Sequence, residues 1–149
     1  MKEARPVVNW KQVAEDDLRK YRDIEVAVTS NRETIALLTA EAEGVKAMQT
    51  EQSTRGGGKV TGDESINVLI EKMEQEQLLE RNEKRLELIK QGLEGLDEEE
   101  AIALDYFYIS HYRNAADKLG EILHIERSAA YKLRNRALHK YITRAYGIV

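Results

Sequence analysis

The last 23 residues combine cationic and hydrogen-bonding side chains with no acidic one. Residues 127–149 carry six Lys or Arg and no Asp or Glu, a charge of +6, whereas residues 1–126 carry −10. Such a segment can bind phosphate groups, because nucleic-acid binding needs a local positive surface even in a chain of net charge −4. The candidate DNA-binding residues are Arg127, Ser128, Tyr131, Lys132, Arg134, Asn135, Arg136, His139, Lys140 and Arg144.

Other chemistries are not indicated. The chain has no cysteine, which excludes disulfides and thiolate metal sites, and its three histidines lack metal-ligand spacing. The run Gly-Gly-Gly-Lys at 56–59 is similar to part of a phosphate-binding loop but lacks the spacing of one. Acids at 97–100 fit the first turn of a helix better than a metal cluster. Since no catalytic set has a convincing spacing, we expect no enzyme, no cofactor and no metal.

The composition predicts an all-α protein, because the chain has one proline and is rich in Glu, Lys, Arg, Ala and Leu. Residues 1–8 have no pattern and are expected to be flexible. Asn9 suits a helix N-cap with Gln12 as its capping-box partner, and the helix then runs to about residue 50. Its mostly apolar seam has the 4-3 spacing of a coiled coil: Tyr21, Ile24, Val28, Asn31, Ile35, Leu38, Ala42 and Val45.

A second narrow-seam helix is predicted from about 64 to 91, after a mobile glycine-rich tip at 53–63. Its seam comprises Leu79, Asn82, Leu86, Ile89, Leu93 and Leu96, with Ile66, Leu69, Ile70 and Met73 on a similar face. Residues 9–95 are therefore expected to form a long antiparallel helical hairpin, although the seams could instead pair between chains. In the hairpin, Asn31 and Asn82 fall at the same level and can hydrogen-bond; the alternative is that both face solvent.

Residues 96–149 have the pattern of a three-helix unit. Asp97 and Glu100 form a capping-box pair for a helix to about residue 108, whose aromatic residues indicate a small core. Asn114 is the expected cap of a short helix, 115–123, that buries Ala116, Leu119 and Leu123. A tight turn then leads to a helix from Arg127 to about 145, with a buried stripe of Ala130, Leu133, Ala137 and Tyr141. This order is typical of a helix-turn-helix.

The outer face of the last helix predicts two kinds of DNA contact. Residues in its N-terminal half, including Arg127 and Lys132, would meet base edges in the major groove. Later cations, including Arg136 and Lys140, would contact phosphates. The alternative is an ordinary solvated face, but such faces normally mix both signs of charge.

Residues 96–142, "LDEEEAIALDYFYI…LGEILHIERSAAYKLRNRALHKY", resemble region 4 of the sigma-70 family. The preceding hairpin, with Gly-Lys-Val at its tip, is similar to phage-encoded regulators of the ArpU and RinA type. These resemblances imply a late transcription regulator of a phage or prophage, with double-stranded DNA and RNA polymerase as partners. The alternative is a small terminase-type DNA-packaging protein, whose DNA-binding motif usually precedes the coiled coil.

The chain departs from the sigma-70 pattern at the turn. His124 stands at the family's glycine, and histidine adopts the left-handed conformation less readily, so the turn is expected to differ. Glu126 stands at the Ser/Thr cap and can still accept backbone N–H bonds.

The sequence also predicts a homodimer, because a single helix-turn-helix usually needs a partner at a second half-site. No apolar run reaches the ~20 residues needed to span a bilayer, so we expect no membrane partner and a cytoplasmic location in a bacterial host.

Overall fold

The computed structural model describes residues 7–55 and 62–149, with the side chains of 7–48 and 64–149. All secondary structure in these ranges is helical, as predicted, and no helix there is long and apolar enough to cross a membrane. The helices are α1 (Trp10–Arg19), α2 (Tyr21–Arg55), α3 (Gly62–Glu94), α4 (Glu98–Leu104), α5 (Ala115–Leu123) and α6 (Arg127–Tyr146), with a π-helical turn at Asp105–Ile109.

The chain divides into two compact units. The hairpin unit comprises the described residues of Ile24–Lys84, and the terminal unit comprises those up to Asp23 together with Arg85–Val149. This division differs from the predicted segments 9–95 and 96–149, because α1 and the last part of α3 pack with the C-terminal helices.

The hairpin unit is an antiparallel pair of helices within one chain, as predicted. Asn82 Nδ2 donates to Asn31 Oδ1 at 2.9 Å, and Asn31 Nδ2 donates to Gln75 Oε1 at 2.9 Å. The two asparagines therefore lie at the same level and satisfy each other inside the seam, where Asn31 is buried. Arg32 and Glu83 add an exposed ion pair of 2.8 Å beside them.

The prediction for the start of α3 is wrong about which apolar side chains are buried. Val68 is buried, whereas Ile66, Leu69, Ile70 and Met73 are each about half exposed. Counting back from Asn82 in alternating steps of three and four residues reaches Gln75 and then Val68, so these three residues share the face that meets the partner helix. The four half-exposed residues lie on other faces of α3.

Both long helices extend further toward the tip than predicted, to Arg55 and from Gly62. The remaining part of the predicted tip, 56–61, lies outside the described residues, as do residues 1–6. The first helix is interrupted at Lys20, which ends α1.

In the terminal unit, α1 packs against the end of α6. Tyr146 donates its hydroxyl hydrogen to Asp17 Oδ2 at 2.7 Å, and Arg85 Nε donates to Asp17 Oδ1 at 2.8 Å. The rings of Trp10 and Tyr146 lie 5.1 Å apart. Asn9 caps α1 as predicted, accepting from the Gln12 N–H at 3.1 Å, but the Gln12 side chain donates to Asp16 instead of completing a capping box.

Helices α4, α5 and α6 enclose a small apolar core. The predicted capping box is present: Glu100 N–H donates to Asp97 Oδ1 at 2.8 Å and Asp97 N–H donates to Glu100 Oε1 at 3.2 Å. The Glu100 N–H also lowers the pKa of the Asp97 carboxyl. The predicted stripe of α6 is confirmed as buried. Core residues include Ala103, Ala116, Leu119, Ala130 and Leu133, with Phe107 and Leu123 packed against them.

Single and paired substitutions in the seam should behave differently. Asn31→Leu should lower the free energy of unfolding by about 1–3 kcal/mol, because Asn82 loses its partner. Asn31→Leu combined with Asn82→Leu should recover most of that loss, because two apolar side chains then face each other. Urea unfolding measures the free energy of unfolding of the single and double variants. If the double variant loses as much stability as the sum of the two single losses, the pairing is contradicted.

Gly92 of α3 should not tolerate a methyl group. A Cβ there would lie 2.5 Å from the fully buried ring of Tyr141. Gly92→Ala should therefore destabilise the chain by about 1–3 kcal/mol in thermal or urea unfolding. Gly44 in α2, which has nothing within 4 Å of its Cβ position, is the matched control. Gly44→Ala should stabilise by about 0.5–1 kcal/mol, and a similar gain from Gly92→Ala would refute the close contact.

Candidate nucleic-acid interface

The turn between α5 and α6 keeps the left-handed conformation that a glycine would adopt. His124 has φ 56° and ψ 46°, so the expected difference at this turn is wrong. Its N–H and that of Ile125 both point to the carbonyl of Gly120, the latter at 3.1 Å. Two hydrogen bonds to one carbonyl close the turn and offset the cost of the conformation.

Gly120 lies within α5, and its close contact with the turn was not predicted from the sequence. A Cβ at this position would lie 2.7 Å from the backbone oxygen of Ile125, so the turn can fold back on α5 only if residue 120 lacks a side chain. A glycine inside an otherwise regular helix, four residues before the left-handed position, was the available signal.

The caps of α5 and α6 differ from expectation. Glu126 occupies the N-cap of α6 with extended backbone angles, yet its side chain makes no capping hydrogen bond. Asn114 occupies the N-cap of α5, also without one. Both helices nevertheless begin where predicted, at Arg127 and Ala115.

The ten predicted DNA-binding residues lie on three parts of α6. Ser128, Lys132, Asn135 and His139 are exposed and, by their 4-3-4 spacing, form one face opposite the buried stripe. We call these four the central face. Of the other six, only Tyr131 and Arg134 are partly buried.

One flank of the central face is an aromatic and guanidinium cluster. The Arg134 guanidinium lies over the rings of Tyr131 and Phe107, at 5.0 and 5.1 Å from their centroids. Arg127 lies 5.9 Å from the Tyr131 centroid, and the neighbouring Tyr131 side chain raises the pKa of this already basic group. Asn135 Oδ1 accepts from Arg134 Nε and Nη2 at 3.1 and 2.9 Å. These contacts hold both guanidinium groups at the start of α6.

The other flank meets a buried carboxylate. Glu100 is fully buried, and its Oε1 accepts from Lys140 Nζ at 2.9 Å. Its Oε2 has no hydrogen-bond partner but lies 3.6 Å from Arg136 Nε. Arg136 and Lys140 remain about half exposed, so each has a side chain that faces both the carboxylate and solvent. From the sequence, Glu100 was predicted to have only a capping role.

Arg144 lies further along α6, against the end of α3. Its side chain occupies the space next to Gly95, where no Cβ could fit. Gln91 Nε2 donates to the Arg144 carbonyl at 2.9 Å. Gly92 and Gly95 were predicted to end the second helix; Gly92 instead lies within α3, and both glycines give α6 room to approach it.

No family model, curated protein or solved structure matches the chain. In the described ranges no group of three or more His, Asp or Glu side chains could hold a metal ion. A function must therefore be inferred from the chemistry and placement of the α6 side chains.

Lys140 should contribute more to stability than an exposed lysine in a similar ion pair. Lys140→Met leaves the buried Glu100 carboxylate without its nearest cation, so the free energy of unfolding should fall by about 1–3 kcal/mol. Lys84 pairs with Glu80 at 3.0 Å with both side chains about 70% exposed. Lys84→Met should change stability by less than about 0.5 kcal/mol. Equal effects in urea unfolding would contradict a structural role for the Glu100–Lys140 pair.

Proposed function

We propose that this chain is a DNA-binding transcription regulator of a phage or prophage, and that it reads double-stranded promoter DNA with α6. The observation that carries the proposal is the central face, four exposed polar side chains on a helix that has no acidic residue. It follows a short helix and a tight turn, in the order typical of a helix-turn-helix.

The central face has side chains suited to base edges. Lys132 can donate to the O6 and N7 acceptors of guanine. The Asn135 amide nitrogen can donate to a base acceptor, while its oxygen accepts from Arg134. Ser128, in the first turn of α6, can donate to or accept from several bases. At about 1.5 Å rise per residue, Ser128 to His139 covers roughly 16 Å of helix, comparable to the ~12 Å width of the major groove.

Cations on both flanks of the central face suit the two phosphate backbones that border a groove. Arg127, predicted from the sequence to meet a base edge, lies instead with Arg134 on one flank. Arg136, Lys140 and Arg144 lie on the other flank. Phosphate contacts of this kind position a helix without reading sequence. Because Glu100 offsets part of the charge on Arg136 and Lys140, we expect that flank to bind phosphate more weakly than its residue count indicates.

The hairpin unit is assigned to protein contacts, with RNA polymerase or a second copy of the chain as the partner. Half-exposed Ile66, Leu69, Ile70 and Met73 provide an apolar strip for such a contact. We propose a homodimer acting in the bacterial cytoplasm, with half-sites about 34–36 Å apart. Light scattering distinguishes this from the packaging alternative, since a ring of many subunits would favour a small terminase-type protein.

Lys132→Ala tests base reading. In competition binding between the chain's selected duplex and a scrambled duplex, this change should reduce the preference for the selected site. The loss expected for one base contact is about 1–3 kcal/mol. Lys84→Ala, an exposed lysine of the hairpin unit, should leave the preference unchanged.

The same experiment can reject the function. Wild type should bind duplex DNA more weakly as salt rises, since phosphate contacts release counterions. Absence of duplex binding by folded wild type at about 50 mM salt would contradict the proposal, because electrostatic binding is strongest there. A preference that survives Lys132→Ala unchanged would remove this residue from base reading.

A further inference from the structure

A cleft of about 280 Å³ opens in the terminal unit beside the start of α6. Its walls come from α1, the π-helical turn, the segment that follows it, and the first turns of α5 and α6. Four arginines line it: Arg19, Arg113, Arg127 and Arg134. Such a concentration of guanidinium groups around one concave space suits an anionic ligand.

Two carboxylates, Glu15 and Asp117, also line the cleft. Glu15 lies 3.8 Å from Arg19 and close to the Tyr108 hydroxyl. Burial and this carboxylate together raise the pKa of Tyr108 to about 12, so the hydroxyl stays protonated at neutral pH. Asp117 lies near Arg127. Asp16, outside the lining, also lies 3.9 Å from Arg19. Four guanidinium groups against these three carboxylates leave a net positive charge of one, which favours a small anion such as a phosphate monoester.

Aromatic rings contact three of the four arginines and form part of the cleft wall. Arg19 lies 5.6 Å from the Tyr108 centroid, and Arg134 lies over the rings of Tyr131 and Phe107. His111 has a left-handed φ of 52°, uncommon for a residue with a side chain, and the segment it starts carries Tyr112 and Arg113 into the cleft lining. A left-handed residue that is not glycine costs free energy and is often found at ligand sites.

We propose that this cleft binds a small phosphate monoester with a ring attached, of the size of a nucleoside monophosphate. The phosphate would lie between the guanidinium groups and the ring against the aromatic wall. The volume is at the lower end for ligand sites, which favours one nucleotide over a dinucleotide. Because Arg127, Tyr131 and Arg134 are shared with the proposed DNA contacts, occupancy should compete with DNA; this consequence alone depends on the proposed function.

Calorimetric titration of the full chain with the four 5′-monophosphates, the corresponding nucleosides and inorganic phosphate tests the site without DNA. At least one monophosphate should bind with Kd below ~1 mM, about tenfold more tightly than its nucleoside. Arg113→Ala, at an exposed position, should weaken that binding about tenfold and leave the melting temperature unchanged. Arg19→Ala should weaken it as well. The matched control is Arg81→Ala, an exposed arginine of α3 outside the cleft.

Three results would overturn the proposal. The first is that no monophosphate shows saturable binding. The second is that a nucleoside binds as tightly as its monophosphate. The third is that the folded Arg113→Ala variant binds the monophosphate as tightly as wild type. If monophosphates do not bind but Arg113→Ala weakens duplex binding and lowers its salt dependence, the cleft holds a backbone phosphate of DNA instead. Conversely, monophosphate binding in a chain that binds no duplex would support the cleft and reject the proposed DNA function.

Discussion

Carboxylates supplied by other helices hold the acid-free helix α6 in place. Asp17 of α1 accepts hydrogen bonds from Tyr146 of α6 and Arg85 of α3. Glu100 of α4 accepts from Lys140 of α6. Both carboxylates are buried, and a buried charge without a partner costs several kcal/mol. All acidic residues lie before residue 127, yet two of them bind side chains of α6 in the fold. α1 and α4 must therefore pack on α6 for Asp17 and Glu100 to reach these hydrogen-bond partners.

This arrangement also divides the surface of α6. Glu100 engages cations on one flank, and aromatic rings engage Arg127 and Arg134 on the other. Between them, Lys132 and His139 are exposed on the central face. A helix that met DNA through this face would have its cations fixed on both sides of the reading residues, which reduces the entropy lost on binding. Arg127 and Arg134 also line the cleft proposed to take a phosphate monoester.

Local and periodic features of the fold could be predicted from the sequence. The 4-3 spacing predicted that Asn31 and Asn82 lie in the two seams, and the hairpin arrangement predicted that they lie at the same level. The pattern of caps and apolar residues predicted where α5 and α6 begin. Contacts distant along the chain have no periodic signal, and these were missed. Tyr146 with Asp17 and Lys140 with Glu100 are separated by 129 and 40 residues. The half-exposed start of α3 was also missed, because the apolar residues there fit two helix faces and only the tertiary contact selects between them.

The most direct test of DNA binding by α6 is the salt dependence of duplex binding by Glu100→Gln compared with wild type. The amide keeps the size of the side chain and an oxygen for the Asp97 N–H but removes the negative charge beside Arg136 and Lys140. If α6 binds phosphates with those cations, the variant should bind duplex DNA more tightly than wild type. Its dependence on log salt should also be steeper, by up to about one unit for each additional phosphate that it neutralises. A folded variant with the affinity and slope of wild type would show that α6 does not contact DNA with this flank.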